Sequence, residues 1–224
     1  MLTHLRMDVG SVTEISDGTL LTLAGMGPRR ASLSSQSLLD QGANALLSWG
    51  SAAGLHETLG PGRLILPKLV LSANLTQHFV NQQWHRKLYS ALEGNYLPRT
   101  EALVESPSVL SNSDQKRALG RRTGAIAADM ESAAIAEVAH RANIPFLAIR
   151  AVSDSVQYEI PQRFLQATDE IGRMPWQKIL VLIALRPWRW PTAVRLGWGF
   201  RTAMATLRGV VDSVDHGLLF SPPT

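Results

Sequence analysis

The sequence predicts an α/β fold, with a central mixed, partly parallel sheet flanked by helices. Three observations carry this. Short β-rich apolar runs alternate with helically periodic segments from residue 20 to residue 152. The 224 residues are 45% hydrophobic and 18% charged, enough for one folded core and too apolar for a disordered chain. Residues 129–154, DMESAAIAEVAHRANIPFLAIRAVSD, read as a complete helix–turn–strand unit.

Taken in order, Leu20 to Ala24 forms a strand, and GMGPRRAS turns into a helix that runs to about Gly42. Ala45 to Trp49 is a second strand, ending in the small-residue turn Gly50-Ser51-Ala52-Ala53-Gly54. Arg63 to Leu71 is a third, bent or placed near an edge by Pro67. Asn81 to Leu92 is helical, Glu101 to Leu110 extended, and Ser113 to about Arg122 helical, with Asp114 supplying early negative charge. The strand Ala125 to Asp129 feeds a helix over 130–142. Its Ala134, Ile135, Val138 and Ala142 face the sheet, while Glu137, His140 and Arg141 face water. After the Ile144-Pro145 break, Phe146 to Val152 forms the next strand.

Carboxylates stand at both ends of that last unit. Glu131 falls in the first helical turn, where backbone N–H groups favour negative charge. Asp154 follows Arg150 and Ser153 where a buried strand emerges, the place where open α/β sheets build their sites. Each residue alone is also what an ordinary end charge or strand-end turn would supply.

Their combination is more specific. Met130-Glu131-Ser132, followed at this distance by Arg150-Ala151-Val152-Ser153-Asp154, resembles the nucleoside phosphorylases and nucleosidases of the purine nucleoside and uridine phosphorylase type. The resemblance implies a three-layer nucleoside-phosphorylase-like fold and cleavage of the N-glycosidic bond between a ribose and a base. In such a reaction the ribose turns oxocarbenium-like while the base gains electrons. A carboxylic acid protonating the base and a carboxylate near the sugar answer those two charges.

By the same resemblance, Asp154 serves the purine N7 with Ser153 orienting it, in a shielded site that keeps it partly protonated. Glu131 binds the ribose hydroxyls, Met130 packs on the sugar, and Arg150 stands beside the nucleophile. Gly50 and Ser51 match the small-residue loop that approaches ribose, water or phosphate, and Val109 and Leu110 fall near the base pocket. Gly25-Met26-Gly27-Pro28 matches a glycine turn before a helix. Ser48-Trp49 stands where phosphorylases carry a phosphate-binding Arg, which favours water as nucleophile, with phosphate as the alternative co-substrate and no other cofactor. Relatives begin with a further strand and a loop that helps activate the nucleophile. Either the start site is misassigned, or that strand is missing, which would leave an unpaired sheet edge and weakened catalysis.

Composition bounds the rest. No cysteine is present, which excludes disulfides and thiolate metal sites and suits a cytoplasmic protein. The six histidines show no ligand spacing, so no metal is expected. MLTHLRMDVG lacks the apolar core of a signal peptide, and the aliphatic run Ile179–Leu185 is too short to span a bilayer.

Arg173, Lys178, Arg186, Arg189, Arg195, Arg201 and Arg208 fall in a segment without acids, whereas the other 15 cations face 18 acids. Residues 1–172 therefore read as the α/β domain, and 173–224 as a basic, Trp-rich helical segment packed on it or extending from it. Trp176, Trp188, Trp190 and Trp198 interleave with those cations, as at a membrane interface. The pattern is similar to the hopanoid-associated branch of the family, which implies removal of adenine from adenosylhopane by an enzyme peripheral at the inner membrane surface. The ordinary reading of the same segment is two packed helices with solvated arginines. Other readings are a methylthioadenosine or adenosylhomocysteine nucleosidase and a non-catalytic nucleoside-binding protein. A homo-oligomer is expected by resemblance, and nucleic acid is not, since no recognition module is present.

Overall fold

The computed structural model describes residues 7–16, 18–159, 190–214 and 216–220. The boundary expected at 172/173, the cations at 173, 178, 186 and 189, and Trp176 and Trp188 lie outside these residues.

A hairpin comes first. Strand β1 (Val12–Ser16) pairs antiparallel with β2 (Thr19–Thr22) as a separate two-stranded sheet. The strand expected at 20–24 is thus present but lies outside the main sheet. Helix α1 (Pro28–Asp40) follows, with proline in its first turn, where the missing N–H costs nothing.

The main sheet contains β3 (Leu46–Gly54), β4 (Leu64–Ile65), β5 (Leu69–Leu71), β6 (Gln77–Phe79), β7 (Leu103–Glu105), β8 (Ala127–Asp129) and β9 (Phe146–Asp154) in the order β4-β9-β3-β8-β7-β5-β6. Parallel β3–β9, β7–β8 and β5–β7 pairs combine with antiparallel β3–β8, β4–β9 and β5–β6 pairs, so the sheet is mixed as expected. Pro67 does more than bend one strand: β4 is one end of this order and β5 is next to the other end. Four residues reach at most ~14 Å, so the sheet must curl to bring its ends together. Backbone bonds Leu66 N→Arg99 O, Lys68 N→Thr100 O and Arg99 N→Leu64 O tie that closure.

Helix α2 (Gln82–Tyr96) is capped by the Asn81 side chain accepting from Trp84 N, and α3 (Ser113–Thr123) by Asn112 accepting from Gln115 N. Helix α4 (Ser132–Arg141) packs against α1, β3 and β9. Its buried face is broader than expected, because Ala133, Ala136 and Ala139 are also buried; Ala142 instead caps the helix in solvent. Helix α5 (Trp190–Ser213) lies along β9 and contributes Ala203, Leu207 and Val210 to the core. Helix α6 (His216–Phe220) meets α2, where the buried Trp84 donates Nε1–H to Leu218 O. With helices on its flanks, β9 is buried at every residue except Ser153.

Two corrections concern strand ends. The segment expected to turn at Gly50 instead stays in β3 through Gly54, because β9 supplies parallel partners for its backbone. Gly50 and Ser51 are therefore strand residues, paired with Arg150 and Ala151. Strand β9 likewise continues through Asp154.

Between Leu46 and Ala52, the side of β3 turned away from β9 pairs with no other described strand, since β8 joins only at Ala53 and Gly54. A cavity of about 160 Å³, lined by Leu20 and Leu21 of β2 and Leu46, Leu47 and Trp49 of the β3 region, lies at that edge.

Candidate active site

The candidate site forms where β8 meets β3 and β9. Across three adjacent strands, Asp154 registers with Ala53 and Ala53 with Ala128, so Asp154 lies about 10 Å, two strand spacings, from the start of the DMES segment. That is within the span of a nucleoside. Asp129 follows Ala128 directly, and Glu131 comes two residues later.

Beneath the site is a buried polar cluster. Arg150 Nε donates to Asp129 Oδ2 at 2.7 Å, with side-chain exposures of 3% and 1%. Arg150 Nη2 donates to Ser48 Oγ at 2.6 Å and to Ser132 Oγ at 2.9 Å, and Nη1 to Ile149 O at 2.9 Å. Asp129 also accepts from the Ser132 hydroxyl and from Ser132 N, capping α4. The guanidinium packs beside Gly50, the strand partner of Arg150. Arg150, expected beside the nucleophile, thus has each of its nitrogens engaged inside the protein. Its geometry holds Asp129, and with it the turn that carries Glu131.

Glu131 is the N-cap of α4 rather than a residue of its first turn, and its side chain makes no capping bond. Its Oε1 accepts from Gly27 N at 2.8 Å and its Oε2 from Met130 N at 3.2 Å. Gly27 has φ 98°, a backbone that side chains rarely adopt, so the glycine turn can present its N–H to this carboxylate. Burial, and then the charge of Asp129, push the Glu131 carboxyl above its ordinary range. Met130 is half-buried beside it.

Across the site, β9 carries a bulge: Val152 pairs with Ala52 but Asp154 with Ala53, leaving Ser153 as the extra residue. The bulge leaves Ser153 half-exposed and Asp154 buried. Ser153 Oγ donates to Asp154 Oδ1 at 2.9 Å, the orienting bond expected between them. Asp154 Oδ2 accepts from Lys116 Nζ at 2.5 Å in a buried ion pair. Asp154 is thus shielded, and a cation stands beside it. Gly199 of α5 is pressed onto the bulge, since a Cβ there would lie 2.2 Å from Ser153 O.

Val109 and Leu110 are half-buried after β7, and Leu110 packs against the cluster of Leu55, Leu71, Val104 and Leu119. Glu105 ends β7 in register with Asp129. Burial and the Asp129 charge raise its carboxyl to about 7, opposed by a hydrogen bond from the Ala134 backbone.

Three participants were not anticipated. In the sequence Ser48 marks only the absence of an arginine, and Asp129 only the end of a strand. Lys116 gave no signal, being one cation in a polar helix. Among the described residues no group of three His, Asp or Glu side chains could hold a metal ion, and no helix is long and apolar enough to cross a membrane.

The chain is similar to known proteins in sequence and in fold. A sequence profile described as the Phosphorylase superfamily matches residues 103–173. The 5'-methylthioadenosine/S-adenosylhomocysteine nucleosidase of Staphylococcus epidermidis is 24% identical over 201 residues, covering 81% of this chain and 87% of that one. The protein of the same description from Tolumonas auensis is 30% identical over 175 residues, covering 65% and 72%. Among solved structures, S-adenosylhomocysteine nucleosidase from Streptococcus pyogenes, in complex with 5-methylthiotubericidin, superposes with TM-score 0.67 at 16% identity, covering 92% of this chain and 80% of that one. Futalosine hydrolase of Helicobacter pylori does so with TM-score 0.61 at 15% identity, covering 85% and 78%. These structures share the fold, and the sequence relatives show that the chain belongs to the phosphorylase superfamily.

Proposed function

We propose that the protein cleaves the N-glycosidic bond of a 5'-substituted adenosine and releases adenine, with methylthioadenosine or adenosylhomocysteine as the substrate class. The observation that carries this reading is the register that sets Asp154 two strand spacings, about 10 Å, from the end of β8 that leads to Glu131, with the buried Arg150–Asp129 ion pair joining the two segments. In this reading Glu131 holds the ribose hydroxyls and offers fixed negative charge to the oxocarbenium-like sugar. Ser153 and Asp154 meet N7 of the departing base, Met130 packs on the sugar, and Val109 and Leu110 border the base. Gly50 and Ser51 act from strand β3. Water is the nucleophile, supported by the descriptions of the relatives as nucleosidases and a hydrolase. The test is adenine release from methylthioadenosine and adenosylhomocysteine, with and without phosphate. Product unchanged by phosphate is expected; strict dependence on phosphate would make the enzyme a phosphorylase, and no release would leave a nucleoside-binding protein.

A second reading, adenosylhopane as substrate, rests on the surface of α5. Val194 and Trp198 are exposed there on one helical face, at 68% and 57%, with exposed Arg195 and Arg201 beside them, and Phe200, 52% exposed, flanks Gly199 on the other side. This face begins beside the site: Arg195 lies 6.0 Å over the Tyr158 ring, and Gly199 abuts Ser153. Indoles with arginines suit an anionic lipid surface, from which a 5' substituent with an apolar tail would enter. Adenine release from adenosylhopane in vesicles, compared with methylthioadenosine in solution, separates the two readings. Sedimentation of the same preparation tests the homo-oligomer expected from the family.

A further inference from the structure

Helix α5 brings one cation to the rim of the candidate site. Arg195 and Gly199 stand four residues apart, on the same face of α5, and Gly199 is pressed against the Ser153 carbonyl. Arg195 therefore lies one helical turn, about 6 Å along the axis, from the β9 bulge. Its guanidinium carbon is 6.0 Å from the centre of the Tyr158 ring, at the outer range of a cation–π contact. Tyr158 is itself tied to the site. Its N–H donates to Ser155 O at 3.1 Å, and Lys116 Nζ donates to Tyr158 O, Ser155 O and Asp154 Oδ2. The ring beside Arg195 thus belongs to a turn fastened to Asp154.

Charge and access single this arginine out. The site's other cations, Arg150 and Lys116, are buried and paired with Asp129 and Asp154. Arg195 is exposed, and no carboxylate among the described residues pairs with it. Ser153 is the one residue of β9 that is not buried, so on this side the site opens there, next to Gly199. A 5' substituent too large to be enclosed leaves along α5 and meets Arg195. The aromatic ring restricts the rotamers of a long side chain, so less ordering remains to be done when an anion is bound.

We propose that Arg195, over the Tyr158 ring, is a specificity-determining residue of this site, which receives the carboxylate of a 5' substituent such as that of adenosylhomocysteine. The inference rests on the reading of the site as one that cleaves 5'-substituted adenosines. It ranks carboxylate-bearing substrates above neutral ones of the same size. The contact lies away from the bond that breaks, so it is as strong in the bound substrate as in the transition state. It therefore lowers KM and leaves kcat alone.

Two isosteric substrates isolate the charge: 5'-carboxypropylthioadenosine and 5'-carbamoylpropylthioadenosine, in which a neutral amide replaces the carboxylate. With the full chain at low salt, KM for adenine release is expected to be about three- to tenfold lower for the carboxylate, with equal kcat, as for one exposed charge-assisted pair. Added salt should shrink the preference. R195Q should bring the KM ratio to about one, R195K should keep part of it, and R195E should invert it. Equal KM values in the wild type overturn the proposal while the reading of the site stands. An unchanged ratio in a folded R195Q overturns it as well. An anionic lipid headgroup carries the same chemistry as the carboxylate. If R195Q loses flotation with anionic vesicles but keeps the ratio, the arginine serves the lipid surface and the proposal fails. If adenine is released from neither compound nor from methylthioadenosine, the reading of the site fails. The ratio of Kd values from calorimetry with the same two compounds then decides whether Arg195 receives the carboxylate.

Discussion

Arg150 and Asp129 form an ion pair at 2.7 Å that joins the middle of β9 to the end of β8, with both side chains buried. It connects the two sequence segments that make up the candidate site. Removing one partner leaves an unpaired charge beside Ser48 and Ser132. Arg150→Met or Asp129→Leu alone should therefore cost about 3–5 kcal/mol. The double variant should cost less than the sum of the two, because it buries no orphaned charge. Urea unfolding of the four proteins measures this, and strictly additive losses would show that the pair is not coupled.

Gly199 lets α5 touch the β9 bulge. Gly199→Ala places a methyl within 2.2 Å of the Ser153 carbonyl, which is backbone and cannot swing aside. The helix must lift or the bulge must shift, and about 1–3 kcal/mol of stability should be lost. Activity should fall further than stability explains, since Ser153 and Asp154 move with the bulge. Gly197→Ala, at an exposed position with open space around it, is the control and should be neutral or slightly stabilising.

Glu105 makes stability depend on pH. Its folded value, about 7, exceeds the ordinary 4.5, so the folded state holds a proton that the unfolded chain has released. The resulting stabilisation is present below pH 4.5 and is lost as pH rises through 7. Glu105→Gln keeps the shape and removes the charge. The variant's melting temperature should exceed the wild type's by about 3–6 °C at pH 8.5 and match it near pH 4. A constant difference across that range would remove Glu105 as the cause.

Glu131 is needed ionised if it is to stabilise a cationic ribose, and burial raises its carboxyl. Activity should therefore fall at higher pH, on acidification, than an ordinary glutamate would allow. Glu131→Gln should cost about 10²–10³-fold in kcat/KM and abolish that acid limb. Survival of the limb in the variant would assign it to another group.

The α5 surface can be separated from the chemistry. Replacing Trp198 and Phe200 together with serine removes exposed apolar area without touching the candidate site. Flotation with vesicles rich in anionic lipid should fall several-fold while turnover of methylthioadenosine in solution is unchanged. If the wild type does not float at low salt, the lipid-facing reading fails.

The sequence by itself determined the alternation of strands and helices, the helix–turn–strand unit of 129–154 and the pairing of Glu131 with Asp154 as site candidates. Those features are local: periodicity, capping residues and short spacings are written in neighbouring positions. Only the tertiary structure decided what the residues between them do. The glycines after Trp49 read as a turn because glycine weakens strands, yet parallel pairing with β9 keeps them in β3. Pro67 read as a bend, yet it separates an edge strand from one next to the far edge of a curled sheet. Arg150 was legible as part of a motif, but its partners Ser48 and Asp129 lie 102 and 21 residues away in sequence. Lys116 lies 38 residues from Asp154, and no local pattern marks a cation that will be buried. A charge inside a protein is set by partners that only the fold brings within hydrogen-bonding distance, so the chemistry of the site was decided there.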